Sequence, residues 1–206
     1  MSEARAASEP RALDVSGLAP GAFGHRSILW WGTAGIALIE GTAFALAIGA
    51  YFYLRLRNDT WPPNVPPPDL TWGTLNTLIL LASAVPTELA KKAGERLDLR
   101  GVRLWLVVCL VFGVGFNVVR ALEFTTLNCL WTTNAYGSIV WFLLGLHTTH
   151  IVTDVLDTGV LALLMFTGPI EEKRFVDVSE NAVYWYFVVL AWLPIYVVLY
   201  WAPRWT

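Results

Sequence analysis

The chain has 206 residues, of which 56% are hydrophobic and 15% charged, with a mean hydropathy of +0.54 and a formal net charge of -2. Soluble domains carry roughly 25% charged residues, so this balance points to a lipid environment. The lack of a positive excess excludes a nucleic-acid partner held through a strong basic field.

Residues 1–26 hold Glu3, Arg5, Glu9, Arg11 and Asp14 without an apolar run, and read as a polar cytoplasmic tail instead of a signal peptide. The remainder, 27–206, reads as one membrane domain. Its first apolar segment, 28–54, exceeds the roughly 20 residues that a helix needs to cross a bilayer. Glu40 sits at its middle, where a charge costs at least about 2.5 kcal/mol. That expense marks Glu40 either as a proton-linked carboxylate or as one hydrogen-bonded to a neighbouring helix. Residues 61–68, WPPNVPPP, cannot continue a helix and read as an extended cap.

Four further apolar segments follow, at 70–90, 102–124, 136–166 and 183–201. Continuous apolar runs exclude a barrel of alternating strands. The expected fold is therefore an all-α integral membrane protein, a five-transmembrane-helix bundle. Cys109 and Cys129 show no CxxC spacing and indicate neither a disulfide framework nor a zinc site.

Arginines and lysines concentrate on one side of this frame: Arg5, Arg11 and Arg26 in the tail, Lys91, Lys92, Arg96, Arg100 and Arg103 in the second connection, Lys173 and Arg174 in the fourth. The positive-inside rule then puts the N-terminus in the cytoplasm and the C-terminus outside. Tryptophans fit an aromatic belt, with Trp30, Trp31 and Trp185 at the inner boundary and Trp61, Trp72, Trp131, Trp201 and Trp205 at the outer one.

Polar residues inside the spans are the functional candidates, because apolar ones are cheaper there. On the third segment Arg120 and Glu123 are three apart and share a face, so they can pair, with the arginine snorkelling towards headgroups. On the fourth, His147, His150, Asp154 and Asp157 form a narrow stripe at i, i+3, i+7 and i+10, with Thr158 beside them. The stripe climbs about 15 Å of one helix, so its members do not converge on one ion, and His25 is the only other histidine. It reads as a polar seam facing a helix or a neighbouring subunit, and no metal ligand is assigned. Three histidines, no CxxCH, no glycine-rich phosphate loop and no nucleophile elbow leave this chain without a redox centre or catalytic residue of its own.

Several short motifs, in order, resemble subunit III of the haem–copper oxidases in its five-helix bacterial form. The first segment reads IEGTAFALAIGAYFYLR, with Glu40 at the position of the family's intramembrane glutamate. LTWGTLNTLILLASAVPTELA matches at Leu75, Asn76 and Thr77, and GVGFNVVRALEF at Phe116 and Glu123. YGSIVWFLLGLHTTHIV matches at Tyr136, Gly137, Ser138, Gly145, His147 and His150. SENAVYWYFVVLAW matches at Glu180, Tyr184, Trp185, Phe187 and Trp192. Arg120, Asp154, Tyr186 and Val189 depart from the family's pattern, as does Phe124.

The resemblance covers about residues 26–203. It implies an accessory subunit of a bacterial inner-membrane oxidase, free of haem and copper, which reside in partner subunits. Subunit I would be the direct partner and subunit II a companion in the complex. Structural phospholipid and support of proton uptake are implied with it. Gly32, Gly35 and Ala37 suit close helix approach, and Lys91, Lys92, Arg96 and Arg100 suit anionic headgroups. The runners-up are a homologous subunit of a ubiquinol oxidase or nitric-oxide-reductase complex, a stand-alone proton or solute transporter, and a metal-dependent membrane enzyme. Five helices with neither an inverted repeat nor a broken-helix site weigh against the transporter.

Overall fold

Each of the first four long helices opens on a side chain that satisfies its free amides. In the computed structural model, which describes residues 23–205, Ser27 caps α1 (Ile28–Leu56), Asp69 caps α2 (Leu70–Glu95), Asp98 caps α3 (Leu99–Thr125) and Asn134 caps α4 (Ala135–Thr167). The first-turn N–H groups have no partner within the helix, so an oxygen placed just before them fixes where it starts. The last helix, α5 (Glu172–Tyr196), lacks such a cap. It runs on through a π turn at Val197–Trp201 and a 3-10 turn at Ala202–Arg204. The expected polar tail lies outside the described residues except for its last four.

α2 packs on α3 and α5, α3 on α4, and α4 on α5, which closes a four-helix ring, while α1 leans on α4 and α5 from outside. The ring is filled by Leu80, Phe116, Leu143, Leu144, Ile151, Val188, Trp192 and Ile195. A smaller cluster of Ala90, Val102, Leu106, Met165 and Phe175 closes the end that carries the α2–α3 turn. Close approach needs missing side chains at two places. A Cβ on Gly73 would stand 2.4 Å from the Tyr200 ring, and one on Gly113 the same distance from Val155.

Four helices, α1, α3, α4 and α5 with its extension to Arg204, are long and apolar enough to cross a membrane. α2 falls short because hydropathy counts residues that never meet lipid. Asn76, Thr77, Ser83 and Thr87 are buried in the ring, and its last turns carry Glu88, Lys91, Lys92 and Glu95. The fifth apolar segment, expected from residue 183, begins as a helix at Glu172. Its first three turns are amphipathic: Phe175, Val176 and Val178 are buried, while Glu171, Glu172 and Lys173 are exposed. A pattern that tracks lipid-facing length does not see a helix extending beyond it.

The proline-rich connection caps the opposite end, as expected. Trp61 is wedged edge-on between Tyr51 of α1 and Tyr136 of α4, with ring centroids at 5.4 and 5.2 Å. Prolines donate no N–H, so their carbonyls are free to accept from side chains. Asn134 donates to Pro63 at 3.2 Å, Asn128 to Pro67 at 3.0 Å, and Arg204 to Pro68.

Two expected belt tryptophans turn inward. Trp61 is the cap just described. Trp185 is buried in the ring and donates to Ser83 Oγ at 2.8 Å. Trp31, Trp131 and Trp205 are exposed.

Candidate functional site

Three polar groups meet where α1 crosses α4 and α5. Tyr184 Oη donates to Glu40 Oε2 at 2.7 Å, and His150 Nε2 lies 3.7 Å from the same oxygen. The other ring nitrogen, Nδ1, is 2.7 Å from the Leu146 carbonyl. A carbonyl only accepts, so Nδ1 carries a proton and Nε2 faces Glu40. A neutral imidazole then presents a lone pair to the carboxyl group, and an imidazolium presents a second N–H. Phe44 covers His150, with ring centroids 4.9 Å apart. Glu40 is therefore not a solitary carboxylate in lipid: two neighbouring helices supply its partners.

His147, one turn earlier, does something else. It is fully buried, its Nε2 donates to the Val188 carbonyl at 3.2 Å, and Trp192 lies against its ring with centroids 4.9 Å apart. The α4 stripe is therefore divided. His147 faces the ring interior, His150 faces Glu40, and Asp154 and Asp157 both accept from Asn181 Nδ2 of α5, at 3.3 and 3.4 Å. Asn181 Oδ1 in turn accepts from Thr158 at 3.2 Å. Among the described residues no three His, Cys, Asp or Glu side chains gather in a way that could hold a metal ion.

The second cluster lies inside the ring. Arg120 Nη1 is 3.0 Å from Glu123 Oε2, and the two side chains are only 1% and 2% exposed. Asn76 Nδ2 donates to the same oxygen at 2.6 Å, and Tyr200 Oη donates to Oε1. The guanidinium lies over the Trp192 ring at 4.1 Å and the Phe116 ring at 4.9 Å. Expected to snorkel, Arg120 instead lies beneath aromatic rings, whose faces attract a desolvated cation. Trp192 is itself held by its Nε1–H donated to Thr77 Oγ1 at 2.8 Å.

The basic group at the α2–α3 turn is exposed at Lys92, Arg96 and Arg100, with Lys91 half-buried. Lys92 pairs with Glu88 at 3.1 Å, and Tyr186 donates to the same carboxylate at 2.6 Å. Among the described residues, no other part of the chain comes within 4 Å of a Cβ built on Gly32 or Gly35. Asn76, Tyr184, Asn181 and Tyr200 carry the clusters; the first two stood out in the sequence only as motif matches, and Asn181 and Tyr200 did not stand out at all. The available signal was the presence of polar side chains on otherwise apolar helices.

Apolar helices closed around an ion pair, an imidazole and hydrogen-bonded carboxylates define a multi-helix membrane protein with a polar interior. The chain belongs to the cytochrome c oxidase subunit III family, whose model matches residues 59–205. That stretch holds α2 to α5 with both the Arg120–Glu123 and the Asn181 clusters; Glu40 lies before it. A cytochrome c oxidase subunit 3 of Thermostichus vulcanus is 28% identical over 78% of this chain and 81% of its own length. A probable cytochrome c oxidase subunit 3 of Mycobacterium tuberculosis is 30% identical over 76% and 79%. That of a Synechocystis strain is 25% identical over 89% and 80%.

Proposed function

We propose that the chain is an accessory, redox-centre-free subunit III of a bacterial respiratory haem–copper oxidase. In this reading it crosses the inner membrane five times, α2 included, with its N-terminus in the cytoplasm. It stabilises catalytic subunit I by direct packing, shares the complex with subunit II, and leaves haem and copper to those partners. The family match across α2 to α5 carries the reading. The basic group Lys91, Lys92, Arg96 and Arg100 is its surface for anionic headgroups of structural lipid.

Support of proton uptake rests on Glu40 and His150. A carboxyl and an imidazole aimed at one another, with a tyrosine hydroxyl on the same oxygen, supply side chains of the acid–base type that proton uptake needs. The test is Glu40→Gln in the intact complex, since the amide keeps an acceptor for Tyr184 and removes the titration. Oxygen consumption should fall below wild type increasingly as the pH rises, where protons are scarce. An unaltered pH profile with normal assembly would remove the proton role and leave only packing.

A further inference from the structure

A cleft of about 530 Å³ opens between the early turns of α1, the late turns of α4 and the early turns of α5. Four carboxylates line it: Asp154 and Asp157 from α4, Asp177 and Glu180 from α5. Among the described residues that line it Arg174 is the one cation, and Lys173 and Lys91 act on Asp177 and Glu180 from beside it. Two of the acids are nearly inaccessible, Asp154 at 3% and Glu180 at 7% exposure. Among the described residues Asp154 Oδ2 and both oxygens of Glu180 accept no hydrogen bond of ordinary geometry, with Thr33 and Lys91 the nearby groups that act on Glu180. Thr33, the hydroxyl on the α1 wall, is turned to its own helix, donating to Leu29 O at 3.1 Å. None of the four carboxylates takes part in an ion pair among the described residues. Buried acceptors left without donors are costly, and ionised ones more so.

We propose that this cleft binds a primary ammonium group carried on an apolar stem. An ammonium offers three rotatable donors and a positive charge, which suits carboxyl oxygens arriving from two helices and compensates the charge that burial makes costly. The volume lies within the range of small-molecule sites and exceeds what a bare ion needs. The walls alternate acids with Ile36, Val160 and Leu164, so an alkyl stem has a dry surface beside the charged end. Asn181 holds Asp154 and Asp157 in place from across the cleft. This site adjoins the Glu40–His150 pair, because Tyr184 lines the cleft and donates to Glu40, and it does not depend on the oxidase reading.

The ammonium can come from an ethanolamine lipid headgroup or from a soluble alkylamine, and the experiment separates them. Full-length chain in mild detergent is examined by native mass spectrometry with added phosphatidylethanolamine or phosphatidylglycerol, and by saturation-transfer NMR with hexylamine or 1-hexanol. Retention of phosphatidylethanolamine over phosphatidylglycerol supports the site with a lipid source. Saturation transfer to hexylamine over hexanol, without a lipid preference, supports it with a soluble source. In either case Asp154→Asn with Asp157→Asn weakens binding about tenfold or more, and Glu180→Gln does so independently. Amine and neutral probes binding alike, or folded variants (judged by circular dichroism) binding as wild type does, would overturn it.

Discussion

Replacing Glu123 by glutamine removes one charge from the centre of the ring, together with the oxygen that accepts from Asn76 Nδ2 and faces Arg120 Nη1. The amide keeps an oxygen for Tyr200 and fills the same volume. Arg120, 1% exposed and enclosed by Trp192 and Phe116, then has no counter-charge and no route to water. Breaking a buried pair from one side costs about 3–5 kcal/mol, because the remaining charge stays desolvated. Three kcal/mol shifts a folding equilibrium by about two orders of magnitude. Detergent-solubilised chain titrated with dodecyl sulfate and followed by near-ultraviolet circular dichroism reads this as an earlier midpoint. Pairing Glu123→Gln with Arg120→Met should recover most of the loss, since both charges are then gone. A single Glu123→Gln change costing less than about 1 kcal/mol would refute the reasoning, for it would mean that Arg120 finds water or another anion.

Three other outcomes follow from the packing. Gly73→Ala drives a methyl group into the Tyr200 ring and should lower the same midpoint by about 1–3 kcal/mol, whereas Gly115→Ala, facing open space, should not. Trp61→Ala removes the wedge between Tyr51 and Tyr136 and should cost about 3–5 kcal/mol, with limited proteolysis between residues 57 and 69 as a second readout. In the α3–α4 connection, burial raises the Cys129 thiol above its ordinary range. Its thiolate fraction at pH 8 is then below that of an exposed cysteine, so iodoacetamide labels it slowly until dodecyl sulfate opens the fold.

The helices were legible in the sequence because their apolar runs reach the length a bilayer requires. The apolar runs show in the sequence, and the structure adds a capping side chain at Ser27, Asp69, Asp98 and Asn134 where the first four helices begin. At α5 eleven amphipathic residues precede the lipid-facing run and no side chain caps the start, so the helix is longer than its hydropathy. Pairing within one helix was equally legible, as Arg120 with Glu123 shows. What lay on the other side of a polar residue was not. Nothing local tells that Glu123 meets Tyr200 across 77 positions or that Glu40 meets Tyr184 across 144. The α4 stripe is the clearest case. Its residues do share a face, yet that face borders the ring, α1 and α5 in turn, and each neighbour gives its residue a different task. Arg120 was expected at the headgroups because depth alone was considered; the rings that shelter it come from its own helix and from α5.

The central claim is membership of an oxidase complex, and affinity purification of this chain from its native membrane in a mild detergent tests it most directly. An optical spectrum and mass spectrometry of the eluate should show haem bands and a large multi-span partner in fixed proportion to the chain. A colourless eluate holding only the 22.9 kDa protein, from membranes whose oxidase remains intact in the flow-through, would contradict it.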